Sequence, residues 1–261
     1  MTTHQLDTND AVTGRPAAPL RRDNAVAGVI HLAQAAVVLW LATDFALPVT
    51  ASYLAGPPGT VPEDPQQLFD IPTGAAVAAF LALSAVAHFV VCTAWWRHYV
   101  TDLGRGINRA RWVEYSLSAS LMIVLIAQLV GISDVAALIA LFGVNASMIL
   151  FGWLQERYEQ PRSGGWLPFW FGCLAGVVPW LAITVYLVAP DSTSGAEPPT
   201  FVYAIFVSLF IFFNVFALNQ WLQYRGLGPW RDYLFGERVY ILLSLTAKSA
   251  LAWQVFAGTL A

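Results

Sequence analysis

Apolar residues fall in long, nearly unbroken runs along this chain, at about 25–47, 74–96, 112–131, 134–156, 166–188, 201–224 and 236–258. Each run approaches the ~20 apolar residues that a helix needs to cross roughly 30 Å of hydrocarbon. The pattern predicts an all-α membrane protein with seven spanning helices in one domain, residues 25–258. Residues 1–24 are polar, with Arg15, Pro16, Pro19, Arg21 and Arg22, and read as a disordered tail. They do not read as a signal peptide, because the first apolar run is too long for a signal core and no small-residue cleavage site follows it. The connections are short except for 48–73. There Pro48, Pro57, Pro58, Pro62, Pro65 and Pro72 exclude a helix, since proline lacks an N–H and fixes φ. A short hairpin near Thr50–Tyr53 is expected in this long loop.

Composition narrows the class. Side chains are 57% hydrophobic and 11% charged, against about a quarter charged in soluble chains. A net charge of −3 has the wrong sign for a nucleic-acid binder. Cys92 and Cys173 both fall inside apolar runs, so no disulfide framework is implied. Twelve of the 13 basic residues are arginine, and Lys248 is the single lysine. The arginines lie in the amino-terminal tail (Arg15, Arg21, Arg22) and in the second–third (Arg97, Arg105, Arg109, Arg111), fourth–fifth (Arg157, Arg162) and sixth–seventh (Arg225, Arg231, Arg238) connections. The alternate loops contain none, but carry Glu63, Asp64, Asp70, Asp134, Asp191 and Glu197. Basic residues stay on the cytoplasmic side. A multi-pass protein of the cell membrane is expected, with its amino terminus in the cytoplasm and its carboxy terminus outside.

An ionisable group inside hydrocarbon is costly, so each is a functional candidate. The spans hold His31, His88, Glu114 and Lys248, with Asp44 near the outer end of the first. Lys248 follows Gly236 by 12 residues, about 18 Å of helix at ~1.5 Å per residue and so near mid-membrane. His31 and His88 lie nearer the cytoplasmic third. Glu114 reaches their level if its helix begins near Asn108 or earlier. Snorkelling to the interface works poorly for a lysine so deep, and a purely structural Lys248–Glu114 ion pair is a second option. Covalent use explains the pattern better: desolvation favours the uncharged amine, the nucleophile that condenses with an aldehyde. The resulting cation then needs a fixed counter-charge, and Glu114 is the carboxylate at depth. Each histidine alone is as well explained by an interior hydrogen bond as by proton relay; their shared depth favours the relay. Two histidines and a glutamate without close ligand spacing make a poor metal site. Trp170 and Trp253, well inside their spans, could wall a flat conjugated ligand or simply pack the core.

Several strings carry a resemblance. Arg111-Trp112-Val113-Glu114-Tyr115-Ser116-Leu117-Ser118, Phe142-Gly143-Val144-Asn145-Ala146-Ser147-Met148, Pro168-Phe169-Trp170-Phe171-Gly172 and Ala247-Lys248-Ser249-Ala250-Leu251-Ala252-Trp253-Gln254 resemble the heliorhodopsins, over roughly Ala25 to Leu260. The resemblance implies a rhodopsin-like seven-helix bundle of inverted topology. All-trans retinal would be carried by Lys248 as a protonated Schiff base, with Glu114 as counterion. Ser84 and Ser244 would hydrogen-bond nearby, with Ser118 also in contact. Asn145, Met148, Trp170 and Gln220 would line the chromophore, and His31 and His88 would belong to a cytoplasmic-side, proton-accepting cluster. A homodimer is implied, with the long first extracellular loop contributing a β-hairpin, together with a cytoplasmic signalling partner.

Light-driven proton pumps place a carboxylate counterion, a threonine four residues on and a carboxylate donor eleven on. Here those positions are Glu114, Ser118 and Leu125, and the second counterion position is Ser244. Leucine cannot carry a proton. The expected function is therefore light sensing without net ion transport. The alternative is light-driven proton transport by a non-standard route through His31, His88 and Glu114. A retinal-free receptor or a membrane enzyme is a third option; no hydrolase or zinc motif supports catalysis.

Overall fold

The computed structural model describes residues 17–162, 164–188 and 198–260. The elements run α1 (Ala18–Leu41), β1 (Ala46–Ala51), β2 (Gln66–Pro72), α2 (Thr73–Cys92), α3 (Trp96–Leu103), α4 (Arg109–Leu129), α5 (Val135–Tyr158), α6 (Leu167–Val188), α7 (Thr200–Arg225) and α8 (Tyr233–Leu260), with a 3-10 turn at Gly228–Arg231 before α8. Among the described residues, the seven helices other than α3 are long and apolar enough to cross a membrane. Large apolar side chains such as Val29, Ile139, Leu174, Leu181 and Leu242 point outward from them. An apolar outer surface of that kind suits lipid tails and would be a liability in water.

Local chemistry sets the boundaries. Asn108 caps α4, its Oδ1 accepting from Arg111 N at 3.0 Å. Asp134 caps α5, its Oδ1 accepting from the Ala136 and Ala137 amides. Such caps satisfy amides that the first helical turn leaves unpaired. Gly226 ends α7 with φ 61°, a left-handed conformation suited to glycine. Pro179 inside α6 removes one helical hydrogen bond.

Several boundaries differ from the pattern. Residues 18–24 are the first turns of α1, not part of a disordered tail. The rest of that tail, with Arg15, lies outside the described residues, as do Asp191 and Glu197. α1 ends at Leu41, and Ala46–Leu47, read as the end of the first span, begin β1 instead. Pro48 cannot extend a helix, and the local apolarity serves burial: Val49 packs into the main core. The expected hairpin is present but longer, with β1 antiparallel to β2 from Ala46↔Pro72 to Ala51↔Gln66 and an irregularity at Val49/Thr50. It is tied to the α4–α5 turn through Thr50 N to Ser133 O at 2.9 Å. α2 stops at Cys92, and the amphipathic α3 follows, burying Tyr99, Val100 and Leu103.

The main core fills the half of the bundle nearest the hairpin. Val38, Val77, Leu125, Ile126, Ile132, Leu138, Leu187, Val202 and Val255 belong to it, drawn from all seven spans and the α4–α5 turn. Polar burial gathers toward the other end.

Candidate functional site

Helices far apart in sequence bring one amine and one carboxylate together. Lys248 Nζ on α8 donates to Glu114 Oε1 on α4 at 2.7 Å, with both side chains almost fully buried. Ser244, one turn earlier on α8, accepts a second Nζ hydrogen bond at 2.9 Å. Ser84 on α2 donates its hydroxyl to the same Glu114 oxygen at 2.6 Å. The Tyr115 ring lies 5.0 Å from Nζ, and its hydroxyl donates to Tyr240 O at 2.9 Å. A buried charge persists only when paired and hydrogen-bonded, and here each ion has an opposite charge and a hydroxyl.

Lys248 opens onto a cavity of about 610 Å³ between α4, α5, α6, α7 and α8. That volume lies within the range of about 300–1,000 Å³ typical of small-molecule sites. Its walls are aromatic and aliphatic: Trp112 and Tyr115 on α4, Trp180 on α6, and Phe206, Phe213 and Phe216 on α7. Glycines hold the space open. A Cβ at Gly152 would stand 2.4 Å from the Trp112 ring, and one at Gly176 would stand 2.6 Å from Met148 Sδ. A roomy apolar slot with one reactive amine at its wall fits a long apolar aldehyde.

Of the residues singled out from sequence, Ser118, Met148, Gln220, Ser244 and Lys248 line this cavity. Ser84 acts through Glu114 and does not line it. Asn145 is buried outside the lining set and donates Nδ2 to Ser120 Oγ at 3.1 Å. Trp170 is corrected: it is 60% exposed and faces outward. Phe169, Cys173, Gly176 and Trp180 define the inner stripe of α6 at helical spacing, and residue 170 falls off that stripe. Trp253 is likewise outside the lining, stacked edge-on with Phe256. Trp112 and Trp180 supply the indole walls.

His31 and His88 stack with ring centroids 5.6 Å apart and planes at 14°. His88 Nδ1 is 2.8 Å from Asn24 Oδ1, whereas neither ring nitrogen of His31 has a partner among the described residues. His88 and Glu114 line a second, polar cavity of about 40 Å³ together with Asn24, Asn108, Arg111 and Glu237. The spacing thus brings His88 to the counter-charge through a shared cavity, and His31 stands next to His88.

Sequence reading missed one cluster. Arg111, grouped above with the surface arginines, is buried and ion-paired to both Glu156 and Glu237. Glu114 is therefore not the sole deep carboxylate, though it is the one bonded to Lys248. Glu156 and Glu237 sit at the ends of the apolar runs, where hydropathy cannot separate a buried acid from a surface one. The available signal was Arg111 itself, one helical turn before Glu114 and so on the same face. Among the described residues, no three or more His, Cys, Asp or Glu gather as a metal site.

Seven spanning helices, five of them enclosing an apolar cavity with Lys248 of a buried lysine–carboxylate pair at its wall, define a rhodopsin-like membrane protein. The heliorhodopsin family model matches residues 20–260, nearly the whole chain, and the protein belongs to that family. Membership makes it a membrane rhodopsin photoreceptor and implies a retinal chromophore. The fold is also similar to the transmembrane domain and linker region of the Salpingoeca rosetta rhodopsin phosphodiesterase. That likeness has a TM-score of 0.61 at 12% identity and covers 91% of this chain and 78% of that one. No curated protein matches.

Proposed function

We propose that the protein senses light through all-trans retinal joined to Lys248 Nζ as a protonated Schiff base, with Glu114 as counterion, and that it moves no ion across the membrane. The carrying observation is the 2.7 Å Lys248–Glu114 pair, with Lys248 at the wall of an apolar cavity of about 610 Å³. Retinal supplies light absorption and a light-driven change of shape. The chain does the rest. Lys248 anchors, Glu114 and Ser84 fix the counter-charge, Ser244 orients the nitrogen, and the aromatic walls exclude water. The Glu114–His88 cavity gives a released proton somewhere to go on one side.

The other side supports the absence of transport. Leu125, at the position where a pump keeps its donor, is buried in the main core with Ile126, Val77 and Val255. A proton path through such packing lacks any group that could carry it. The amino terminus faces the cytoplasm by the arginine distribution, and the signal is read there by a protein partner, from a homodimer. The protein is a receptor, not an enzyme.

Reconstitution with all-trans retinal tests this. The native protein gives a visible band and Lys248→Ala gives none; a band that survives the substitution overturns the attachment. Illumination of expressing cells in unbuffered medium leaves external pH flat. A sustained, uncoupler-sensitive change would instead establish transport through His31, His88 and Glu114. A protease-accessible amino-terminal tag on intact cells would reverse the orientation.

A further inference from the structure

The end wall of the large cavity is made by two rings, Trp112 and Tyr240, which both line it. Beyond them lies a single buried cation. The Arg111 guanidinium carbon stands 3.8 Å from the Tyr240 ring centroid and 4.4 Å from that of Trp112. Such stacking uses the flat, weakly hydrated face of arginine, which lysine lacks. The same guanidinium bonds Glu156 at the end of α5 and Glu237 near the start of α8. Trp112 Nε1 donates to Glu156 Oε2 at 2.5 Å. Asn108, the cap of α4, donates Nδ2 to Glu237 Oε2 at 2.6 Å and its backbone N–H to Glu156 Oε2 at 2.9 Å. Tyr115, beside Lys248, donates to the backbone of Tyr240.

We propose that Arg111 is a positioning residue that couples the shape of the chromophore cavity to the arginine-rich ends of α4, α5 and α8. Neither ring can shift without moving the cation, and the cation cannot move without pulling on both carboxylates. Close packing makes such an arrangement switch between discrete states rather than deform smoothly. The Arg111–Glu156–Glu237 group is then the element whose rearrangement a cytoplasmic reader senses. The coupling rests on the retinal reading of the cavity given above.

Hydrogen–deuterium exchange on the full-length protein tests it, without retinal, with all-trans retinal in the dark, and under illumination. In the native protein, retinal alters exchange in segments 152–160 and 228–238, and light alters it again. Arg111→Lys keeps the charge and the visible band but weakens the retinal-dependent response of both segments by about fivefold or more. A merely structural role would lower the melting temperature and leave that ligand response in place. Trp112→Phe keeps a ring in the wall and removes only the Trp112–Glu156 hydrogen bond, the Arg111 bonds staying, so the 152–160 response weakens but persists. Intact responses in Arg111→Lys overturn the coupling. If that variant does not fold, Glu237→Gln replaces it: an unchanged retinal-dependent 228–238 response in Glu237→Gln overturns the coupling alone. A native protein without a visible band sinks the retinal reading, and the coupling with it; a band without segment responses sinks the coupling only.

Discussion

Ser84 and Lys248, on different helices, hydrogen-bond the same oxygen of Glu114, at 2.6 and 2.7 Å. The counter-charge is thus shared between a neutral donor and a cation. Anything that changes how much negative charge the carboxylate presents to the nitrogen changes the energy of the bound chromophore. The carboxylate and its serine donor can be removed separately, and the two substitutions shift the absorption in opposite directions.

Glu114→Gln removes the negative charge, so the absorption maximum of the retinal-loaded protein moves to the red. It also leaves a buried cation without its partner, which costs about 3–5 kcal/mol. Absorption spectra and thermal melts of the same sample check both. A blue shift, or an unchanged spectrum, would show that another group is the counterion.

Ser84→Ala keeps the carboxylate but takes away a donor that drains its charge. The maximum therefore moves to the blue, by less than Glu114→Gln moves it to the red. The lost bond to a charged acceptor is worth roughly 1.5–3 kcal/mol. A red shift in this variant would count against the shared-oxygen arrangement.

Gly152→Ala places a methyl group where the Trp112 ring stands, 2.4 Å away. The ring is held by Glu156 and by Arg111, so relief comes by tilting it into the cavity. Retinal uptake, followed by growth of the visible band, slows, with a smaller effect on the melting temperature of the apo-protein. Uptake at the native rate would mean that the ring yields elsewhere.

Trp170 and Trp180 separate inner from outer on α6. Trp180→Ala empties a buried wall that packs against Phe206, Phe210 and Phe213. It destabilises by about 3–5 kcal/mol and shifts the band. Trp170→Ala, on the outward face, leaves band position unchanged. Equal spectral effects of the two would contradict the inner stripe.

Much of this architecture was legible in the chain. Long apolar runs mark helices in hydrocarbon because a backbone without water must satisfy its own hydrogen bonds. That physics gives seven spans, six of them with boundaries good to about four residues, while the first starts seven residues and ends six residues earlier than its run. Ala42–Leu47 looked like span and proved to be loop and strand, since hydropathy measures burial and not conformation. The long proline-rich loop signalled a hairpin, but not that Gln66–Pro72 would be its second strand. Lys248 stood out as the single lysine, in the middle of its run, and Glu114 as a carboxylate inside another.

Hydropathy could not say which way a side chain faces around a helix, or which ends of spans are dry. The resemblance put Trp170, one position off the inner stripe, against the chromophore, and hydropathy could not correct it; hydropathy also passed over Arg111, Glu156 and Glu237, whose burial depends on three helix ends converging. A charge buried alone is prohibitively costly, so one-dimensional reading places such residues at the surface. Folding brings the opposite charges and two rings to meet them, and that meeting exists only in three dimensions. The single lysine could be picked out from sequence as the candidate reactive group. The shape of its cavity, the oxygen it shares with Ser84, and the caged arginine behind the Trp112 and Tyr240 rings arise from packing between segments 30 to 134 residues apart.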